Sequence, residues 1–179
     1  HRPRAGARPQ AAPPGCQEDA QCFDEDDFSA IEQARSAIGT IIFQSGGDSF
    51  VCSGALINDT DPDSFVPLFL TANHCLSSGN EAASVEVFWD NYRPSCNGTA
   101  PGLGSRPRSN GSTLLASNAS GDYTLLQLDD VPGGRWFMGW DSENSAVQAG
   151  TLLHRLSSPG GDPQVYSRSV VNGSPEFLC

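Results

Sequence analysis

Beyond residue 36 the sequence never sustains an apolar pattern for long. Short β-like runs, AIGTIIF, SFVCSGALI, SFVPLFLTA and SVEVFWDNY, alternate with turn clusters such as QSGGD and NDTDPD. After a Gly/Ser/Pro-rich loop at 97–111 come STLLAS, DYTLLQLD, GTLLHRL and QVYSRSVV. Runs of this length bounded by Gly, Pro, Asn and Asp read as strands joined by tight turns. With 19 glycines and 13 prolines spread along the chain, no stretch is left for a long helix. The expectation is an all-β fold. One short helical piece is expected in CQEDAQCFDEDDFSAIEQARSA, where Phe28, Ile31 and Ala34 keep a helical spacing.

The 179 residues suffice for one ordinary domain or two small barrels. A net charge of −11 argues against a nucleic acid partner, because a phosphate backbone calls for a basic footprint. No apolar run approaches the roughly 18 residues of a membrane span, and the tightest cluster, FVPLFLTA, is interrupted by Pro67. Six cysteines, Cys16, Cys22, Cys52, Cys75, Cys96 and Cys179, lack the paired spacing of zinc sites and read as disulfides. Such bonds persist outside the cytosol, so a secreted protein is expected. Residues 1–15, rich in Pro, Arg, Ala and Gly, read as a flexible leader, either a plain linker or a propeptide remnant. No secretory signal is visible ahead of them; it is expected to have been removed or to lie outside this sequence.

A histidine works as general base on a hydroxyl when one ring nitrogen reaches the nucleophile and a buried carboxylate orients the other. VCSGALI followed by FLTANHC provides a rigidly held histidine. The two runs are adjacent strands, with Cys52 and Cys75 placed to be tied together beside His74. At these residues the chain resembles the chymotrypsin-like (trypsin-fold) serine endopeptidases, which carry a Cys-Ser-Gly-(Ser/Ala)-Leu-Ile strand and a Leu-Thr-Ala-Ala-His-Cys strand end. Asn73 stands where that family usually has alanine.

The resemblance implies a fold of two antiparallel six-stranded β-barrels, the second incomplete here. It also places the orienting acid in GDYTLLQL, at Asp122, 48 residues after His74, a separation that suits opposite sides of one barrel. Asp129 and Asp130 compete for that role, but they follow the apolar alternation and precede a Val-Pro-Gly turn. CQEDAQC, VEVFWDNYRPSC and FMGWDS further resemble the bacterial lysyl endopeptidase group, from about Cys16 to the end. That likeness implies a Cys22–Cys96 disulfide. With it and Cys52–Cys75 in place, Cys16 is left with Cys179, although the resemblance sets the partner of the first cysteine beyond the catalytic serine. The implied organisation is a leader at 1–15, a disulfide-anchored segment at 16–35, a first barrel at 36–130 carrying His74 and Asp122, and the start of a second barrel at 131–179.

Such enzymes need a Gly-x-Ser-Gly segment for nucleophile and oxyanion hole. QSGGD at 44–48 precedes His74 in a hairpin turn, and Ser174 in NGSPEF is followed by proline, so neither serves. The serine is expected a few tens of residues beyond Cys179, which makes this chain a fragment, one chain of a cleaved enzyme or a natural truncation, inactive by itself.

Other residues read blandly. His154 is a packed or surface histidine, and with three histidines and no HExxH neither a metal nor another cofactor is expected. DTDPDS at 59–64 lacks the glycine and glutamate of a calcium loop and reads as a solvated hairpin loop. Trp89, Trp136 and Trp140 read as core before cleft. Five Asn-x-Ser/Thr sequons, from Asn58 to Asn172, matter only in a eukaryotic secretory route. All ten basic residues are arginine. Coding bias accounts for this, and avoidance of self-cleavage at lysine is the alternative. The resulting expectation is a secreted, monomeric serine endopeptidase acting on proteins or peptides, with a catalytically inactive protease-like binding protein as the alternative.

Overall fold

The computed structural model describes residues 17–61, 63–143 and 148–172. In chain order the strands and α-helices are β1 (Glu18–Asp19), α1 (Ile31–Ala37), β2 (Ile38–Ser45), β3 (Asp48–Ile57), β4 (Leu68–Thr71) and α2 (Gly79–Ala83). They continue as β5 (Glu86–Phe88), β6 (Arg108–Asn110), β7 (Ser112–Asn118), β8 (Tyr123–Leu128), β9 (Leu152–Ser157) and β10 (Val165–Val170).

Seven strands form one antiparallel sheet in the order β6-β5-β2-β3-β4-β8-β7. Its edge strands β6 and β7 are a single run of chain bent at Gly111, so the sheet curls round to meet itself. The Gly111 N–H donates to the Val85 carbonyl (2.8 Å), and its own carbonyl accepts from Asp129 N–H (3.2 Å). With β6 and β7 taken as one bent strand, six strands go round the barrel. Glycine is required at the bend, where φ is +80° and a Cβ would stand 2.4 Å from Asp129 Oδ2.

Period-two patterning decides what lies inside. In β8, Thr124, Leu126 and Leu128 point inward; in β4, Phe69 and Thr71 do so while Leu70 faces out. Ile41, Phe43, Leu56, Leu76, Ala82, Val85, Val87 and Trp89 complete the core. Trp89 is fully buried edge-on to Phe69, and its Nε1–H donates to Ser109 Oγ at 2.9 Å. Truncating it to alanine would cost about 3–5 kcal/mol.

The second sheet, β1-β10-β9, is a smaller antiparallel one in which the N-terminal segment pairs with the late strands, Glu18 opposite Tyr166 and Asp19 opposite Val165. It covers a satellite core of Ala20, Ile31 and Tyr166, with Phe23, Phe28 and Leu156 packed against it. Buried Gln164 and Asn91 join this sheet to the barrel. Gln164 Nε2 donates to the Arg35 carbonyl (3.1 Å) and its backbone N–H to the Asn91 carbonyl (2.6 Å). Asn91 Nδ2 donates to Thr40 Oγ1 and to the Gly161 and Asp162 carbonyls. Residues 135–140, past the end of β8, lie along the barrel: Met138 exchanges backbone hydrogen bonds with Leu56 and Asn58 (both 2.9 Å).

Candidate active site

His74 sits in the turn that follows β4. The ladder with β8 ends at the pair Thr71 and Thr124, and the chain then folds back so that Cys75 N–H reaches the Ala72 carbonyl at 3.2 Å. Two ties hold this turn, and a third anchors the end of β4 ahead of it. Cys75 is disulfide-bonded to Cys52 in β3, Thr71 Oγ1 donates to the Ser53 carbonyl (2.9 Å), and Thr124 Oγ1 donates to the Leu76 carbonyl (2.7 Å). Gly54, one residue past Ser53, has Phe69 packed where a Cβ would stand, 2.2 Å from the ring.

Asp122 immediately precedes β8 with φ +48°, a left-handed conformation that aspartate tolerates better than most residues. Its two carboxylate oxygens are both used by one residue. Oδ1 accepts the His74 backbone N–H at 2.9 Å, and Oδ2 lies 2.7 Å from His74 Nδ1. The backbone N–H of His74, then its ring nitrogen, hold the Asp122 carboxyl below the usual carboxylate range against desolvation, with a smaller contribution from the Asn73 backbone. Asn73 therefore acts through a group that any residue except proline supplies. An ionised carboxylate only accepts hydrogen bonds, so Nδ1 carries the proton and Nε2 is left as an acceptor.

Two features differ from the sequence expectations. The residues come from neighbouring strands of the barrel, β4 and β8, rather than from opposite sides, because the intervening β5, β6 and β7 carry the chain round the barrel and back. The carboxylate is also not buried: the His74 and Asp122 side chains are 48% and 51% exposed.

The chain and its fold match known proteins. The sequence profile described as "Lysyl endopeptidase, C-terminal domain" matches residues 12–176. The chain belongs to the lysyl endopeptidase C-terminal domain family. A lysyl endopeptidase of Pseudomonas aeruginosa is 29% identical over 162 residues, covering 88% of this chain and 34% of that protein. The chain thus spans about a third of that relative's length. Among solved structures, a serine endoprotease from Yersinia pestis superposes with a TM-score of 0.57 at 16% identity, covering 86% of this chain and 46% of the other. A thermostable serine protease from an extremophilic microorganism superposes at 0.52 and 15% identity, covering 79% and 68%. At such identities these two structures show the fold alone, and that fold is trypsin-like.

Elsewhere in this lysyl endopeptidase-family chain the other singled-out residues take structural positions. Cys22 is bonded to Cys96, anchoring the N-terminal segment; Cys16 and Cys179 lie outside the described residues, as does Ser174. Ser45 sits at the end of β2 and donates to Glu81 Oε1 at 2.6 Å. His154, on β9, meets Tyr166 Oη at 2.6 Å and stacks on Phe28. Asp59 accepts from Asp61 N–H, Ser64 Oγ–H and Val66 N–H, stitching its own loop. Asp130 Oδ1 accepts from Asn110 N–H (3.1 Å). Asp129 packs its carboxylate against Gly111. Among the described residues no cluster of His, Cys, Asp and Glu could hold a metal ion, and no helix is long and apolar enough to cross a membrane.

Of the tryptophans only Trp89 is core. Trp136 and Trp140 are 54% and 56% exposed, because residues 135–140 run along the outside of the barrel, where Trp140 Nε1–H reaches the Asn58 carbonyl (3.0 Å). Sequence reasoning also passed over α2. Its start carries the Ser-x-x-Glu signature, with Ser78 and Glu81 in a reciprocal capping box.

Proposed function

We propose that this chain supplies the general base, His74, and the orienting acid, Asp122, of a secreted serine endopeptidase that hydrolyses peptide bonds through a Ser-His-Asp triad. The two-point contact between His74 and both oxygens of Asp122 carries this reading. In the reaction Nε2 takes the serine hydroxyl proton as the oxygen attacks the scissile carbonyl, and later gives it to the leaving amine. Asp122 stays ionised throughout and stabilises the imidazolium that forms between these steps.

The serine is assigned to sequence beyond residue 179. Each Ser-Gly pair in this chain, at Ser45, Ser53, Ser78 and Ser120, lacks the glycine two positions earlier that an oxyanion hole requires. By itself the chain is then inert. Proteins and peptides are the substrates, cut after lysine as the name of the Pseudomonas relative indicates. The absence of lysine from all 179 residues agrees, since the chain offers such an enzyme no bond of its own. The two disulfides among the described residues support an extracellular setting.

The half-exposed Asp122 carboxylate, where a triad acid is buried, favours a second reading, a protease-like binding protein without a nucleophile. Labelling of the full-length protein with a fluorophosphonate probe separates the two. Labelling in wild type that disappears in His74→Ala supports the endopeptidase; no labelling in either protein supports the binder.

A further inference from the structure

Both side chains of the His74–Asp122 pair are about half exposed, where water competes for each hydrogen bond and salt screens the charge. Burial therefore does not set the pair's geometry. It depends on how the two backbone segments carrying it are held to each other.

Those segments part company at the last rung of the β4–β8 ladder, Thr71 opposite Thr124. Past that rung β4 runs into the turn bearing His74. On the other strand, Asp122 lies two residues before Thr124 and so has no ladder partner. One buried contact spans the gap. Thr124 is fully buried, and its Oγ1 donates at 2.7 Å to the carbonyl of Leu76, itself buried two residues past His74. The hydroxyl thus ties the far side of the histidine turn to the strand that presents the carboxylate.

We infer that Thr124 is a positioning residue for the His74–Asp122 pair, acting through the Leu76 carbonyl to keep the imidazole and carboxylate at hydrogen-bonding distance. Its catalytic meaning rests on the function proposed above, whereas the clamp is a property of this chain. Thr71 provides the contrast. It occupies the same rung and is also buried, but its Oγ1 donates to Ser53 in β3 and does not touch the turn beyond Cys75.

The test is NMR on this chain, following the low-field Nδ1–H proton of His74 and the titration of the Asp122 carboxyl. Thr124→Val keeps the shape and removes the donor. Exchange of the Nδ1–H proton then rises about tenfold, in line with the loss of one net hydrogen bond, and Asp122 titrates closer to its ordinary value. Thr124→Ser restores both readouts. Thr71→Val lowers the melting temperature and leaves both unchanged, which separates positioning from general stability. Should Thr124→Val fail to fold, Thr124→Cys, with its weaker donor, gives intermediate values. Wild-type exchange and titration in a folded Thr124→Val or Thr124→Cys overturns the inference alone. A wild-type chain with no protected Nδ1–H proton overturns the His74–Asp122 reading and the inference with it.

Discussion

Arg135 reaches back 45 residues to grip both carboxylate oxygens of Asp90, at 2.5 and 2.6 Å, with its guanidinium 5.4 Å from the centre of the buried Trp89 ring. The grip fastens the connector leaving β8 to the barrel, so the segment toward the second sheet starts from a fixed point. The Arg135 side chain is 9% exposed and that of Asp90 24%, so removing one partner strands a largely desolvated charge. Arg135→Ala is expected to cost about 3 kcal/mol. Arg135→Lys recovers only part of this, because an ammonium cannot match the two-oxygen geometry. Urea unfolding of the three proteins measures both effects.

The bend that closes the barrel makes a sharper demand on Gly111. A methyl group there meets the Asp129 carboxylate, and φ of +80° is unfavourable for any L side chain. Gly111→Ala should destabilise the chain by more than about 1 kcal/mol. Gly46→Ala, also at positive φ but with nothing within 4 Å of the added carbon, should cost less. Comparison of their urea midpoints checks the order.

Burial of His154 gives the second sheet a pH dependence. Burial first, and Arg168 second, hold its pKa below the ordinary histidine value. The folded chain therefore favours the neutral ring. As pH falls from about 6.5 toward the folded pKa the unfolded state takes up the proton first, and stability is lost. Melting temperatures at about pH 7.5 and 5.5 should differ less in His154→Gln than in wild type.

The α2 capping box predicts acid sensitivity elsewhere. Burial would raise the Glu81 carboxyl, but hydrogen bonds from Ser45, Ser77 and Ser78 outweigh it and bring it to about 2. A depressed carboxylate stabilises above its unfolded pKa of about 4.3, and that stability drains away as pH falls toward the folded value. Glu81→Gln should flatten this part of the acid-denaturation curve. Ser78→Ala should cost about 1 kcal/mol at neutral pH through the lost cap. Circular dichroism against pH and urea reads both.

What could be read from the sequence follows the range of the interactions involved. Strands such as β3 and β8 announce themselves because alternation and turn residues are local signals, and the histidine turn stands out because FLTANHC is contiguous. The neighbourhood of β4 and β8 is not local. It arises only when Gly111 bends one strand into two sheet edges, so a separation of 48 residues suggested opposite walls where the barrel makes adjacent ones. The exposure of Asp122, Trp136 and Trp140 has the same origin, since an aromatic or acidic letter does not say which element covers it. Helix α2 is a different case: its Ser78–Glu81 signature is local, but a five-residue helix leaves no apolar periodicity to set it apart from the turn residues around it.

Whether His74 can act as a base steered by Asp122 turns on which of its ring nitrogens carries the proton. Long-range proton–nitrogen NMR correlation on the 15N-labelled chain, with the imidazole neutral, reads this directly. The geometry predicts a protonated Nδ1 and a bare Nε2, and a shift toward the other tautomer in Asp122→Asn, where the endopeptidase proposed above would also lose about 10⁴-fold in kcat. A wild-type spectrum with the proton on Nε2, or one that Asp122→Asn leaves unchanged, would contradict the assignment of His74 as a carboxylate-steered base.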